Sequence, residues 1–241
     1  MAVGNTFDRA AIFGATGGIG RALAIALADS GTEVWAGSRS GDVPEGCTRS
    51  FRFDLMDEAS IAQVAEAMAD TPPDLVVVAT GVLTLADGTG PERTLKQVDG
   101  TSMNQLFLLN TVGPALVAKH MLPLFPRKDR SVFAALSARV GSIDDNGLGG
   151  WHSYRASKAA LNMLLKNFAI ELARTHKEAV VLGLHPGTVD TRLSEPFQSN
   201  LPDGQLTHPV DAAANLLAVI GEATSEDSGK VFDWKGEPIP A

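Results

Sequence analysis

Ala10-Ala11-Ile12-Phe13-Gly14-Ala15-Thr16-Gly17-Gly18-Ile19-Gly20-Arg21-Ala22-Leu23-Ala24-Ile25-Ala26-Leu27-Ala28 runs from a short apolar segment through a glycine turn into a helical stretch that stops at Gly31. A strand, a turn without Cβ atoms and a helix start together make a phosphate cradle. The backbone can come close to an anion, and the helix offers unpaired N–H groups and the positive end of its dipole. The glycines read as G-x-x-x-G-x-G through Gly14, Gly18 and Gly20, and equally as G-x-x-G-x-x-G through Gly14, Gly17 and Gly20. The stretch predicts a bound dinucleotide contacted by Gly14, Thr16, Gly17, Gly18, Ile19 and Gly20. An ordinary tight strand-to-helix turn is the plainer alternative.

Outward from this turn, apolar runs alternate with helix-like stretches. Strands are predicted at 32–36, 50–53, 74–79, 131–136, 179–184 and 230–234, and helices at 58–69, 102–122, 154–174 and 210–220. Asp74-Leu75-Val76-Val77-Val78-Ala79 is the clearest buried strand, rich in β-branched residues and lacking polar alternation. The alternation implies an α/β, single-domain Rossmann-type fold over residues 1–241: a doubly wound parallel sheet with helices on both faces, its ligand at the carboxyl ends of the strands. Irregular stretches at 86–100, 139–150 and 193–208 are long enough to suggest function, and about 189–208 is expected to be a substrate loop.

At 241 residues, with 44% hydrophobic and 20% charged residues, the chain suits one soluble α/β domain. Its net charge of −8, without a Lys/Arg cluster, argues against nucleic acid and anionic membranes as partners. No apolar run is long enough to span a bilayer, and the N-terminus lacks a charged-then-apolar signal layout. The single Cys47 cannot make an internal disulfide, which fits a reducing cytosol and a cytoplasmic protein. The five histidines show no H-x-x-H or H-x-x-x-H pair, so no metal site is expected.

Tyr154-Arg155-Ala156-Ser157-Lys158 places a phenol and an amine four residues apart, one turn apart on one helix face. A phenol is a poor acid at neutral pH, and a nearby ammonium favours its ionised form. Such a pair can exchange a proton with a substrate oxygen. Tyr154 is the only tyrosine in the chain, and it follows a strand ending near Ser137.

With these residues in order the chain resembles the short-chain dehydrogenase/reductase family over nearly its whole length. The resemblance rests on the glycine turn (Gly14, Gly18, Gly20), Asp54 in Phe53-Asp54-Leu55, and Asn110 in Asn110-Thr111-Val112-Gly113. It continues through the serine region after the fifth strand, the Tyr154/Lys158 pair and His185-Pro186-Gly187-Thr188-Val189-Asp190-Thr191. Leu136-Ser137-Ala138-Arg139-Val140-Gly141-Ser142-Ile143 resembles the branch of carbonyl-reductase-like and cell-contact-signal proteins. The resemblance implies that Tyr154 exchanges the proton and that Lys158 lowers its pKa and binds the nicotinamide ribose. It implies that Asn110 holds a water leading from Lys158 to solvent; a helix-kink residue bonded to backbone is the other reading, and the two are compatible. Asp54 and Leu55 are placed at the adenine, Ala79, Thr80 and Gly81 beside the cofactor, and Pro186, Gly187, Thr188, Val189 and Thr191 at the carboxamide and pyrophosphate. Asp54, Thr188 and Thr191 are also plausible helix caps.

Two departures from the family pattern stand out. Its Asn-Asn-Ala-Gly is here Val78-Ala79-Thr80-Gly81, with Thr80 able to replace one hydrogen bond. The catalytic serine position, three before Gly141, holds Ala138, flanked by Ser137 and followed by Ser142. Ser137 is taken as the catalytic serine, which requires a shifted or bulged strand end because adjacent strand residues face opposite ways. Ser142 or no serine are the alternatives, and 144–150 is expected to form an enlarged loop.

Where NAD enzymes place an acid for the ribose hydroxyl, the chain reads Gly37-Ser38-Arg39-Ser40. Arg39 can grip a 2′-phosphate through its planar fork, with Ser38 adding a hydrogen bond, so NADP(H) is expected ahead of NAD. Leu83, Ile143, Leu148, Trp151 and Phe197 are the expected pocket wall for a small apolar carbonyl or its alcohol. By resemblance, apolar helices around 104–121 and 159–172 would pair as a homodimer or homotetramer. The expected activity is NADP(H)-dependent interconversion of a small carbonyl and its alcohol. A dinucleotide-binding regulatory or cell-contact signalling protein with little turnover is the alternative. A nucleotide-sugar epimerase would need a larger C-terminal domain.

Overall fold

A computed structural model describes residues 7–200, 202 and 204–241; Met1 to Thr6, and Leu201 and Asp203 within the expected substrate loop, lie outside the described residues. Seven strands form one parallel sheet: β1 (Arg9–Phe13), β2 (Glu33–Ser38), β3 (Arg49–Arg52), β4 (Leu75–Val78), β5 (Ser131–Leu136), β6 (Ala179–His185) and the last long-sheet strand, β9 (Val231–Asp233). Their order is β3-β2-β1-β4-β5-β6-β9. The chain therefore winds one way from β1 and the other way from β4, leaving a crevice at the carboxyl ends of these two neighbours.

Strand alternation divides the apolar residues between two cores. Ala11, Phe13, Val76, Val78, Phe133, Ala135 and Val181 face one side with helices α2 (Glu58–Met68), α4 (Gly113–Met121) and α5 (His152–Leu172). Ala10, Ile12, Leu75, Val77, Val132, Ala134 and Leu182 face the other with α1 (Gly18–Asp29) and α6 (Pro209–Glu222). Burial on both faces is why these strands read as near-continuous apolar runs.

The helix predicted over 102–122 is interrupted. It comprises α3 (Gly100–Phe107), a π-turn at Leu108–Val112, and α4. Pro114 explains the break: with no N–H, it cannot bond the carbonyl of Asn110 four residues earlier, and a wider turn absorbs the missing bond. Two short strands, β7 (Thr188–Val189) and β8 (Leu206–Thr207), pair in parallel and bracket the expected substrate loop. The stretch 143–149 is an exposed loop, as expected from its length.

Candidate active site

The glycine turn sits at the crevice. Gly14 has φ +100°, and a Cβ there would meet the Thr80 methyl at 2.9 Å. A Cβ on Gly20 would lie 2.2 Å from the Gly14 carbonyl oxygen and 3.1 Å from the Ala79 Cβ, so the helix start, the turn and the end of β4 close up only around glycine. Gly17 is the N-cap of α1 and supplies no side-chain cap, leaving first-turn N–H donors to an outside acceptor. Thr16, Gly17 and Gly18 are exposed. Thr191 lies over the turn, its methyl 2.5 Å from where a Gly18 Cβ would stand. Its side chain caps no helix; its carbonyl accepts from Ser194 and Glu195.

Tyr154 and Lys158 share one face of α5 and are 7% and 3% exposed. The Lys158 ammonium donates to the Leu136 carbonyl at 2.8 Å and lies 5.9 Å from the Tyr154 ring centroid. Burial pushes the phenol up to about 12 and the ammonium down to about 8. Desolvation therefore outweighs any lowering of the phenol by Lys158, and the Tyr154 phenol is neutral. No protein group among the described residues hydrogen-bonds its hydroxyl, and that oxygen is not sealed from solvent.

Asn110 is fully buried in the π-turn. Its Oδ1 accepts from the Val82 N–H at 2.8 Å, and its Nδ2 donates to the Val82 carbonyl at 2.8 Å and to Ser157 Oγ at 3.2 Å. Thr111 Oγ1 donates to the Ser157 carbonyl at 2.7 Å, so the π-turn is latched to α5 between Tyr154 and Lys158. A Cβ on Gly81 would stand 3.4 Å from Lys158 Nζ and 3.5 Å from Asn110 Oδ1, which brings the amine, the amide and the end of β4 to one spot.

No serine joins them. β5 keeps its register past Leu136, with the Ser137 N–H donating to the Leu184 carbonyl at 2.7 Å, so the anticipated bulge does not form. Ser137 continues the face of Phe133 and Ala135 toward α5, and its hydroxyl donates to Asn162 Oδ1 at 2.6 Å. Ala138 packs with Tyr154 and Leu83 instead, alongside Val140, Trp151 and Phe197. Ser142 donates to the Ala241 carbonyl at 3.2 Å, away from this cluster.

The sequence of short chain dehydrogenases as a family matches residues 8–202 of this chain. The chain belongs to the short-chain dehydrogenase family. It is 34% identical over 169 residues to the C-signal of Myxococcus xanthus, covering 70% of this chain and 93% of that protein. It is 31% identical over 225 residues to the 1-hydroxy-2-glutathionyl-2-methyl-3-butene dehydrogenase of Rhodococcus sp., covering 91% and 93%. The NADPH-bound carbonyl reductase from chicken fatty liver has the same fold, with a TM-score of 0.80 at 22% identity over 97% of this chain and 94% of that one.

This short-chain dehydrogenase has a crevice that fits a dinucleotide. The Thr80 hydroxyl is a buried polar atom without a partner, on a residue that lies against a turn with no room for a Cβ at Gly14, Gly18 or Gly20. Ser38 is 3% exposed and its hydroxyl is spent within its own loop, donating to the Asp42 carbonyl at 2.7 Å and accepting from the Gly41 N–H at 2.9 Å. Arg39 is exposed. Arg52, which sequence reasoning missed, pairs with Ser38 across β2–β3 and donates through Nε to the Arg39 carbonyl at 3.2 Å. Neither arginine is in an ion pair among the described residues. Asp54 closes a turn before α2 by accepting from the Met56 N–H at 2.9 Å, while Asp57 is the N-cap. Leu55 is buried against Gly113, and Ile19 packs on the α1 side of the sheet.

Pro186, Gly187, Thr188 and Val189 follow the end of β6, with Gly187 at φ +76° against Trp234. His185 beside them is pushed down to about 4 by burial and the Arg139 guanidinium, against the pull of Asp233. Of the expected wall, Leu83, Trp151 and Phe197 gather at Tyr154. Leu148 is 93% exposed, and Ile143 lines a separate groove of about 630 Å³ with Leu95, Val98 and Met103. No described helix is long and apolar enough to cross a membrane.

Proposed function

We propose that this short-chain dehydrogenase is a single-domain NADP(H)-dependent reductase of small apolar carbonyls, working by hydride transfer with a Tyr154/Lys158 proton relay. The carrying observation is the neutral, buried phenol whose hydroxyl is left free beside Lys158 and Asn110. When bound, the nicotinamide supplies a hydride to the carbonyl carbon.

Tyr154 donates its proton to the carbonyl oxygen as negative charge develops there. The Lys158 ammonium, anchored to Leu136, supplies the positive field that eases this loss and would bind the nicotinamide ribose. Asn110 has used both N–H donors and one lone pair; its second lone pair suits a water that returns the proton from solvent to Lys158. Gly14 to Gly20 and Thr191 would hold the pyrophosphate, Thr80 and Gly81 the nicotinamide half, and Thr188 and Val189 the carboxamide. Asp54 and Leu55 would hold the adenine, and Arg39, with Arg52 beside it, the 2′-phosphate. Leu83, Ala138, Trp151 and Phe197 give the substrate an apolar wall with no second hydroxyl.

A homodimer or homotetramer is supported by the exposed Leu108, Val112, Met163 and Ile170. A cytoplasmic location is supported by the unpaired Cys47. The absent serine also favours a second reading, dinucleotide binding for regulation with little turnover. NADPH oxidation with a panel of apolar ketones, aldehydes and quinones separates the two. The expected result is turnover that Tyr154→Phe lowers about a hundredfold or more without changing the NADPH Kd. Binding without turnover, unaffected by Tyr154→Phe, refutes the reductase.

A further inference from the structure

Helix α5 carries the catalytic pair, yet its own start has no capping side chain. Its N-cap is Trp151, which provides no side-chain acceptor. The acceptors come from far along the chain. The Glu92 carbonyl accepts from the Trp151 N–H at 2.5 Å, its Oε2 accepts from the Ser153 N–H at 3.2 Å, and its Oε1 accepts from the Ser153 hydroxyl. Glu92 is 7% exposed and Ser153 is fully buried. No salt bridge reaches this carboxylate among the described residues, and the neighbouring His152 is the one cationic group that acts on it electrostatically. A charge so enclosed is held by donors and by the positive end of the helix. Burial pushes the Glu92 carboxyl up, but hydrogen bonds from Ser153 and nearby backbone more than reverse this, leaving it below the usual carboxylate range.

At the first of the two anchor points the backbone is in a disfavoured state. Gly149 and Gly150 lead in at φ +65° and +67°, which glycine adopts freely, and Trp151 follows at φ +51°, the one non-glycine residue with positive φ among those described. Such a conformation persists only where neighbours impose it. Glu92 grips the chain at Trp151 and again at Ser153, and a Cβ on Gly150 would lie 3.5 Å from the Glu92 carbonyl. The imposed turn sets the Trp151 ring edge-on to Tyr154, at 6.2 Å and 72°, and against Phe197 at 5.3 Å. Tyr154 is the next residue after the lower anchor.

We infer that Glu92 is a positioning residue for catalysis: by clamping the strained first turn of α5 it keeps the Trp151 ring on Tyr154 and holds the phenol at its working depth. This rests on the reductase reading for its kinetic consequence, but not for its structural one. Because Tyr154 is the sole tyrosine, its accessibility can be followed without turnover, as the rate of nitration by tetranitromethane read from intact mass. In Glu92→Ala the rate is expected to rise about tenfold, and kcat to fall about tenfold or more, with the NADPH Kd within about twofold. Glu92→Gln keeps one carbonyl acceptor and is expected to recover part of both losses.

A folded Glu92→Ala protein with unchanged nitration and kcat overturns the inference, as does a loss of kcat explained wholly by weaker cofactor binding. Should Glu92→Ala not fold, Ser153→Ala, which deletes only the hydroxyl contact, is expected to move nitration and kcat the same way by a smaller factor, and no movement overturns it. A wild-type chain that turns over no carbonyl sinks the reductase reading alone; the nitration comparison still decides the role of Glu92.

Discussion

The Ser137 hydroxyl donates to Asn162 Oδ1 at 2.6 Å, on the same face of α5 as Lys158 and one turn beyond it. The hydroxyl next to the family's serine position thus braces β5 against α5, while the Ala138 methyl packs at the phenol. Removing the Ser137 hydroxyl leaves a half-buried acceptor without its donor. Ser137→Ala is expected to cost about 1–2 kcal/mol in urea unfolding and to change kcat by no more than about twofold. A hydroxyl acting on the substrate oxygen would instead cost about a hundredfold in kcat. Ala138→Ser adds a donor beside Tyr154 and is expected to raise kcat about tenfold. Steady-state kinetics on both variants test the assignment, and a Ser137→Ala collapse in kcat at constant stability would refute it.

Lys158 yields a prediction in which stability and activity move in opposite directions. Burial brings its pKa from 10.5 down to about 8, so the folded state binds fewer protons than the unfolded state between these values. Stability from this group therefore rises as pH increases from about 8 toward 10.5, and below about pH 8 the full penalty of a buried ammonium is present. Lys158→Met removes the charge but leaves the Leu136 carbonyl without its donor. Its net effect at pH 7 is expected to be a gain of about 1–2 kcal/mol. The proposed relay requires the charge, so kcat/KM in the wild type should fall with a midpoint near pH 8, and the variant should be nearly inactive at every pH. A Lys158→Met protein less stable than wild type at pH 7, or a wild-type profile flat through pH 8, contradicts this account.

How much of this was readable from residues alone follows from the range of the forces involved. β1, the glycine turn and α1 were legible because strand burial, tight turning and helix periodicity are local, and the order of apolar runs sufficed for the parallel sheet. The break in the 102–122 helix was written in the sequence as well, in the four-residue spacing from Asn110 to Pro114. The position of Ser137 was decided by an unbroken register with β6, a long-range pairing that no local pattern reports. Glu92 and Arg52 were invisible for the same reason: each matters through a partner brought close by the fold, at Ser153 and at Arg39. The raised phenol pKa likewise depends on how deeply the helix is sunk, where spacing alone had suggested lowering by Lys158.

In the proposed reductase the distinction between the two cofactors rests on Arg39. It is exposed at the end of β2 with no carboxylate partner among the described residues, and its neighbour Arg52 spends only Nε on the Arg39 carbonyl, leaving the rest of its fork toward solvent. Ser38 has no hydroxyl capacity to add, because Asp42 and Gly41 occupy it. Discrimination then falls on guanidinium charge, which acts on a 2′-phosphate and has little to act on in a 2′-hydroxyl. Arg39→Ala is expected to raise the NADPH Kd about tenfold or more, near 1.4 kcal/mol, and to leave the NADH Kd within about twofold. Arg52→Ala should shift the same preference by a smaller factor, and added salt should weaken NADPH binding more than NADH binding. Equilibrium titration of both cofactors at two ionic strengths measures all of this. Equal weakening of NADPH and NADH by Arg39→Ala would mean that the guanidinium only supports the loop, and the preference for NADP(H) would have to be abandoned.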